Sequence, residues 1–382
     1  MPRPISVRID PSALAHNFAQ VSHRAQQAYA GHGLVPPRFW AVIKANAYGH
    51  GIAPAVHAFQ AADGLAMLDL HEAIQCREQG WTKPLLLLEG IFSAADAELA
   101  AHYGLTIVVH TAEQLQWLQH SKLSQPLPAF IKLNTGMQRL GFDASDFATA
   151  FQQAKALQQQ ATLGDLGVMT HFARADEDPS TTQQQMAHFN QYAAPHSSWQ
   201  SVGNSAATLN TDFPQWLQPN VQYWLRPGIC LYGSSPFIDL PAETLHLQPA
   251  QTLEAELIAV QHLKAGDQVG YGHTFTATQS MRLGVVACGY ADGYPRHAPN
   301  GTPVVVGGIR TQLVGRVSMD MLTVDLSAIP HAQVGTKVVL WGHGGPSVDE
   351  VAQASGTLGY ELLCAVAPRV PRFVLAEENH EK

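Results

Sequence analysis

The sequence predicts an α/β protein with an N-terminal (β/α)8 barrel and a C-terminal, mostly β domain. The chain has 382 residues, more than the roughly 250–300 that one hydrophobic core supports. About eight strand-like runs alternate with helix signals over the first roughly 220 residues, which is the number of units in such a barrel. Beyond residue 240, strand-like runs follow one another directly. We therefore place the barrel at 11–240 and the second domain at 241–382.

The chain begins with a short strand and a well-marked helix start. Residues 6–9 read as a strand, and Asp10 followed by Pro11 suits the N-cap and the first position of a helix. We expect this helix to reach about residue 30. The strand at 6–9 is a candidate to join the second domain.

The barrel strands are recognised by where their apolar runs end. Most ends precede a helix signal, such as the capping-box spacing of Thr111 with Gln114. The alternative is a doubly wound open sheet, which usually carries a G-x-G-x-x-G turn after its first strand. No such turn is present there. The runs end near Lys44, Leu68, Glu89, His110, Asn134, Phe172, Asn204 and Arg226.

The second domain is predicted from strand-like runs that are separated by Gly or Pro turns. These runs cover 255–262, 283–289, 303–306, 311–317, 321–326 and 336–341.

Composition and charge exclude several classes of partner. The net charge is −8 and there is no dense Lys/Arg run, so we expect no nucleic-acid partner. No stretch reaches the ~20 apolar residues that span a bilayer, so we expect no membrane association. The N-terminal residues lack the apolar core of a signal peptide. We therefore expect a cytoplasmic protein.

The cysteines and histidines do not form recognisable metal or disulfide patterns. Four cysteines lie far apart in apolar surroundings, which predicts buried free thiols. The 19 histidines are scattered without a ligand spacing such as H-E-x-x-H. We expect no catalytic metal. The cysteines are Cys76, Cys230, Cys288 and Cys364.

Reactive side chains recur at the predicted strand ends, where a (β/α)8 barrel places its active site. Several such residues on one face form a hypothesis for a site, whereas one alone would mean little. They are Lys44, Lys132, His171, Asn204, Ser205 and Arg226.

Lys44 ends the apolar run 39–43 and has two interpretations. Its stem could lie on the barrel rim with the amine in solvent. Alternatively, it is a desolvated amine that forms a Schiff base. The loop 46–51, in which two glycines flank His50 beside Tyr48, favours the second interpretation.

The loops after strands seven and eight are where many barrels bind phosphate. Here Ser205 supplies a hydroxyl and Gly228 allows close approach of backbone N–H groups. Ordinary turn chemistry is the alternative for each loop. A Schiff-base lysine and a phosphate site in one barrel indicate pyridoxal 5′-phosphate (PLP). Arg226, otherwise an ion-pair partner, could then hydrogen-bond the pyridine nitrogen.

The sequence resembles a known family, the alanine racemases, over essentially the whole chain. The strongest motif is residues 41–51 (AVIKANAYGHG), which is similar to the family's PLP-lysine motif. The supporting motifs occur in family order. They are 132–141 (KLNTGMQRLG), 170–173 (THFA), 269–272 (VGYG), 289–296 (GYADGYPR), 315–320 (GRVSMD) and 360–364 (YELLC), followed by Arg369 and Arg372.

The resemblance implies a PLP-dependent racemase that interconverts L-alanine and D-alanine with two bases. Lys44 would carry the cofactor and exchange the Cα proton on one face of the substrate. Tyr271, contributed by the partner subunit of a homodimer, would exchange it on the other face.

The resemblance also implies binding roles for further residues. His171 would stack on the pyridine ring, and Lys132 resembles a lysine that is often carbamylated and steadies Arg139. Arg139 would bind near the cofactor phenolate and the substrate carboxylate, assisted by the backbone N–H of Met319. The residues implied to hold the phosphate are Tyr48, Ser205, Gly228, Ile229 and Tyr360.

Two departures and two competing functions accompany the resemblance. Gln138 stands where the family commonly has His, and Ser318 where Cys or Ala is common. A PLP decarboxylase or a broader racemase on the same fold is one competitor. A PLP-binding carrier protein is the other, but a carrier would need neither the second domain nor Tyr271.

Overall fold

The computed structural model describes residues 3–376, which begin with strand β1 (Ile5–Ile9) and helix α1 (Pro11–Gly31). The side chain of Asp10 caps this helix by accepting hydrogen bonds from the backbone N–H groups of Ser12 and Ala13. Because Pro lacks an N–H and has a helix-compatible φ, Pro11 suits the first turn. The predicted helix to about residue 30 is confirmed.

A closed barrel of eight parallel strands follows, so the predicted (β/α)8 barrel is confirmed. The first barrel strand pairs with the last, which leaves no free edge. Each strand ends within three residues of the position that the sequence indicated. The strands are β2 (Arg38–Val42), β3 (Gly64–Met67), β4 (Leu85–Leu87), β5 (Thr106–Val109), β6 (Leu127–Lys132), β7 (Leu163–Met169), β8 (Trp199–Ser201) and β9 (Gln222–Leu225).

Helices connect the barrel strands and pack on the outside of the barrel. They are α2 (Ile52–Ala58), α3 (Leu70–Glu78), α4 (Ala94–His102), α5 (Ala112–His120), α6 (Ala144–Gln159), α7 (Pro179–Tyr192) and α8 (Ser205–Leu209). The barrel core contains large aromatic side chains, such as Trp40 stacked on Trp224 with ring centroids 4.3 Å apart. Gly64 in β3 makes room for Trp40, because a Cβ there would overlap the indole ring.

The second domain is built on an eight-stranded sheet, which confirms the predicted mostly β domain. Its central strand β10 pairs with β1, β13 and β17, and β1 also pairs in parallel with β18. The small pair β11 and β12 forms a separate ribbon. The strands are β10 (Gln251–Leu263), β11 (Gln268–Val269), β12 (Phe275–Thr276), β13 (Met281–Val286), β14 (Pro303–Val306), β15 (Ile309–Gln312), β16 (Leu322–Asp325), β17 (Lys337–Trp341) and β18 (Arg372–Val374).

Two features of the second domain differ from the sequence prediction. The strand predicted at 311–317 is largely wrong, because the strand ends at Gln312 and Gly315 adopts a φ of 77°. The domain also contains two helices that were not predicted, α9 (Val348–Ala354) and α10 (Gly359–Ala365). Ser347 and Glu350 form a capping box at the start of α9, a signal that the sequence contained.

The four cysteines are free, but only three of them are buried. The prediction that all four are buried is wrong for Cys364, because it lies on the exposed face of α10 while Leu362 and Leu363 face the core. Among residues 3–376, no helix is long and apolar enough to cross a bilayer. Within the same range, no group of three or more His, Cys, Asp or Glu is arranged to hold a metal ion.

Candidate active site

A cavity of about 830 Å³ opens at the C-terminal ends of the barrel strands. Residues of the second domain, from Ser347 to Tyr360, line its other side. The cavity brings together eleven of the thirteen residues that the sequence selected. They are Lys44, Tyr48, Lys132, Arg139, His171, Asn204, Ser205, Arg226, Gly228, Ile229 and Tyr360.

Lys44 lies two residues after the end of strand β2 and its side chain reaches the cavity. Burial lowers the pKa of the Lys44 amine, and the nearby Arg139 guanidinium lowers it further. The carboxylate of Glu89 acts in the opposite direction. A lowered pKa increases the neutral fraction of the amine, and the neutral amine is the nucleophilic form.

The chain after Lys44 forms a left-handed turn (Lys44–Tyr48). Four consecutive non-glycine residues, Ala45 to Tyr48, have φ values between 50° and 55°. This conformation costs L-residues roughly 1–2 kcal/mol each, and left-handed residues normally occur singly. The backbone N–H of Ala47 donates to the carbonyl of Ile43 (2.8 Å), and that of Gly49 to the carbonyl of Ala45 (3.0 Å). The turn places Lys44 and Tyr48 at its two ends.

A polar cradle lies beside this turn and consists of Tyr48, Ser205, Gly228, Ile229 and Tyr360. The backbone N–H of Gly228 donates to the hydroxyl of Ser205 at 2.8 Å. A Cβ on Gly228 would lie 2.5 Å from the phenol oxygen of Tyr48, so only glycine lets that phenol approach the backbone this closely. Burial raises the pKa of Tyr48 and that of Tyr360, so both phenols remain protonated and can donate hydrogen bonds.

Asn204 lines the cavity but its side-chain oxygen is used within the fold. This oxygen accepts from the backbone N–H of Ala207 at 3.1 Å and so caps helix α8, which begins at Ser205. Asn204 therefore orients Ser205.

Arg226 is buried and contacts His171. Its guanidinium donates to the Ser201 hydroxyl (2.7 Å) and to the carbonyls of Thr170 (2.6 Å) and Val202 (3.1 Å). Burial lowers the pKa of Arg226 to about 9, which still leaves it charged at neutral pH.

His171 is neutral. Burial and the neighbouring cations, Arg226 first among them, lower its pKa well below the ordinary value. Its Nδ1 lies 3.3 Å from an Arg226 nitrogen, which can only donate, so the ring proton resides on Nε2.

Lys132 ends strand β6, is buried and lines the cavity. Burial is the main cause that lowers the pKa of Lys132 to about 7, with Arg226 and Arg139 adding to the effect. Arg139 lies in the following loop, where Asn134 accepts from the backbone N–H of Gln138 at 3.1 Å. Gln138, which stands where the family commonly has His, has a role in this loop, since its side-chain oxygen accepts a hydrogen bond from the Asn134 side chain at 2.7 Å.

Tyr271 and Met319 do not line the cavity of their own chain. Both lie on the second domain, where Tyr271 is 70% exposed and Met319 is 54% exposed. Glycines at 270 and 272 with positive φ flank Tyr271, and the Arg316 side chain passes over Gly272. The structure therefore leaves these two residues available at the surface.

A cluster of ion pairs around the buried Asp292 holds the loop that carries Met319. The fully buried carboxylate of Asp292 accepts from Arg3 and Arg369, both at 2.8 Å. Arg369 also donates to Asp320 at 2.7 Å. The backbone N–H of Ala291 donates to the carbonyl of Met319 at 3.0 Å. These contacts fix the loop although its side chains are exposed.

The comparison with known families matches both parts of the chain. The family model described as alanine racemase, N-terminal domain, matches residues 9–236, and the one described as alanine racemase, C-terminal domain, matches residues 250–374. The chain belongs to the alanine racemase family. It is an enzyme, as the sequence motifs predicted.

Individual relatives agree with this membership in the alanine racemase family. The chain is 56% identical over 371 residues to a protein named alanine racemase from Bordetella petrii, covering 97% of this chain and 99% of that one. A relative with the same name from Bordetella avium is 53% identical with the same coverage. The crystal structure of biosynthetic alanine racemase from Pseudomonas aeruginosa superposes with a TM-score of 0.89 at 44% identity, covering 98% of this chain and all of that one.

Five acidic residues line the cavity and none was selected from the sequence, and two of them, Glu89 and Asp349, make contacts that bear on the site. Glu89 follows strand β4 and faces Lys44 and Lys132, so the strand-end rule could have found it. Asp349 accepts from the Ser234 hydroxyl (2.5 Å) and the Ser235 backbone N–H (2.9 Å). It links the loop after the last barrel strand to helix α9. No local sequence signal marks this contact between the two parts of the chain.

Proposed function

We propose that this member of the alanine racemase family interconverts L-alanine and D-alanine with PLP by a two-base mechanism, using Lys44 and Tyr271. The observation that carries the proposal is that one cavity contains both a lysine with a lowered pKa and a cradle suited to phosphate. A homodimer that shares its active sites, and a cytoplasmic location, are parts of the same proposal and remain predictions from the sequence.

The cavity residues fit PLP in shape and charge. The Tyr48 phenol (which lies against the Gly228 backbone), the Ser205 hydroxyl, the Tyr360 phenol and the backbone near Ile229 could together donate hydrogen bonds to a phosphate. Lys44 would bind the aldehyde covalently and Arg226 would meet the pyridine nitrogen, with His171 against the ring. Bound PLP supplies an electron sink that acidifies the substrate Cα–H. Because Arg226 keeps its protons, the ring nitrogen would stay largely unprotonated, which favours proton exchange over other reactions.

The protein's own groups would then handle the proton and the substrate carboxylate. Arg139 would bind the carboxylate, with help from the Met319 backbone N–H of the partner subunit. The Lys44 amine would take or return the proton on one face, and the Tyr271 phenol on the other. The phenol needs cationic neighbours to work as a base, because an unperturbed tyrosine has a pKa of about 10. Neutral His171, with its proton on Nε2, could orient that phenol.

The proposed reaction is tested by incubating the enzyme and PLP with single amino acids. We expect L-alanine to yield D-alanine and the reverse, without release of carbon dioxide. Turnover of a range of amino acids would indicate a broader racemase, and carbon dioxide release would indicate a decarboxylase. Either result would contradict the proposal.

We propose that Lys132 is carbamylated, because a pKa near 7 leaves a large neutral fraction that can attack carbon dioxide. The amine nitrogen forms a bond to carbon and releases one proton, which gives a carbamate anion beside Arg139. Since only the neutral amine reacts, carbamylation should increase as pH rises from about 6 to about 8. A carbamate would also pair with the cations that surround Lys132.

Isotope labelling tests this modification. Bicarbonate labelled with a heavy carbon isotope should produce a carbamate carbon resonance that is absent from Lys132→Gln. The same variant should lose about 10-fold in kcat/KM, the size expected when a hydrogen bond to a charged group is lost. A matched resonance in both proteins would place the carbamate elsewhere and refute the assignment.

Gly228→Ala should weaken PLP binding by about 10-fold or more, because the added methyl group would overlap the Tyr48 phenol and displace it from its place as a phosphate donor. Equilibrium dialysis of the apoenzyme with PLP measures the effect. Gly31→Ala is the matched control, since a Cβ there meets no atom within 4 Å. Equal affinity in both variants would show that the phosphate binds elsewhere.

A further inference from the structure

The left-handed turn (Lys44–Tyr48) is bound at both ends by side chains that do not line the cavity. We propose that Glu72 and His50 are positioning residues that hold this turn, so that Lys44 and Tyr48 reach the cofactor together. The inference rests on the proposed function, because it concerns the lysine that would bind PLP and the phenol that would bind its phosphate. Neither Glu72 nor His50 is among the residues that line the cavity.

Glu72, which lies on a different element, accepts a hydrogen bond from the backbone at the beginning of the turn. One carboxylate oxygen, Oε1, accepts from the backbone N–H of Asn46 at 2.6 Å. The first N–H groups of any helical turn lack partners within the turn, so an outside acceptor is needed. Glu72 lies in the first turn of α3, and Asp69 caps that helix through the N–H of His71. Glu72 is therefore not needed as that cap and is free to bind Asn46.

His50 provides a hydrogen-bond donor for the backbone carbonyls at the end of the turn. Its Nδ1 lies 3.0 Å from the carbonyl oxygen of Ala47 and 2.9 Å from that of Tyr48. Both partners can only accept, so Nδ1 carries the proton and donates to the two carbonyls. Burial lowers the pKa of His50 to about 4, which keeps the ring neutral. The ring also packs against Tyr232, with centroids 4.7 Å apart.

These contacts matter because the turn itself is unfavourable for its residues. Ala45, Asn46, Ala47 and Tyr48 would leave the left-handed region if the ends were released, since none of them is glycine. A change of backbone conformation between Lys44 and Tyr48 would alter the distance and direction between amine and phenol. Gly49 fixes the turn against helix α10, where a Cβ would overlap the carbonyl of Leu363. Tyr360 lies on the same helix.

Variants at the two ends of the turn are expected to affect cofactor attachment differently. Glu72→Ala releases the end next to Lys44, so apoenzyme should attach either PLP or pyridoxal, which lacks the phosphate, about 10-fold more slowly. His50→Leu removes the donor at the Tyr48 end, so it should slow the attachment of PLP more than the attachment of pyridoxal. Stopped-flow absorbance of the lysine-bound cofactor measures attachment to the apoenzyme and does not depend on turnover.

Conservative variants separate positioning from folding. Glu72→Gln keeps an acceptor oxygen and His50→Asn keeps a donor, so both should attach PLP at rates closer to the wild type than Glu72→Ala and His50→Leu do. Glu78→Ala, an exposed glutamate of the same helix, is the matched control and should behave as wild type. Melting temperatures of the apoenzymes show whether the variants remain folded.

The outcomes distinguish this inference from the proposed function. Suppose that the wild type attaches PLP at Lys44. If the variants Glu72→Ala and His50→Leu then attach PLP as fast as the wild type does, the positioning role is refuted and the proposed function stands. A lower melting temperature with unchanged attachment also refutes it. If wild type forms no covalent link at Lys44, both the function and the inference fail.

Discussion

Lys44→Ala is expected to abolish covalent PLP attachment and to lower racemisation by about 10⁴-fold, the upper range for removal of a positioned acid–base group. Lys44 is proposed both to bind the cofactor and to move the proton on one face of Cα, so no other residue can replace it. The absorbance band of the lysine-bound cofactor should disappear, and borohydride reduction should no longer fix PLP to the protein.

A surface lysine provides the control for this experiment. Lys264 is exposed, so Lys264→Ala should retain both the absorbance band and the activity. An added small amine should restore part of the activity of Lys44→Ala, because it can replace the missing amino group in proton transfer. Normal turnover in Lys44→Ala without any added amine would refute the assignment of this lysine.

Tyr271→Phe is expected to retain PLP but to lower turnover by about 10²–10⁴-fold, since it removes one of the two acid–base groups. The loss should be uneven between the two faces of the substrate. With the phenol gone, Lys44 can still exchange the proton of one enantiomer with deuterated solvent, whereas the other should exchange much more slowly. Tyr192→Phe, on the outer helix α7, is the matched control.

Mixing the two inactive variants tests whether Tyr271 acts in the partner's site. Tyr271 is exposed and absent from the cavity of its own chain. In a hybrid dimer of Lys44→Ala and Tyr271→Phe, one of the two sites has both bases. Random mixing makes half the dimers hybrid, so about a quarter of the wild-type activity should return. No recovery after verified subunit exchange would mean that each site is built from one chain.

Much of the barrel could be predicted because its signals are local. Each strand is a short apolar run and helices begin at capping residues, as at Asp10 and Thr111. The barrel rule then places the strand ends on one face, and this rule selects Lys44, Lys132 and Arg226 from the sequence alone. The same rule applied to Glu89 would have added the carboxylate that acts on the pKa values of Lys44 and Lys132 in the opposite direction to burial.

Other features could not be read from local patterns. The residues 45–48 contain no glycine, so nothing in their composition indicates a left-handed turn. The exposure of Cys364 depends on which face of α10 meets the core. The neutral state of His171 follows from burial beside Arg226, two residues that are 55 positions apart in the chain.

The sequence by itself determined the order of the barrel's strands, the (β/α)8 architecture with its mostly β second domain, and the motifs that mark the family. Only the tertiary structure decided which side chains share a cavity, which amines lose protons readily, and which residues hold the turn after Lys44. The physical reason is that secondary structure depends on neighbours within a few residues. Burial and electrostatic interaction, in contrast, depend on groups such as Glu72 and Asn46 that only folding brings together.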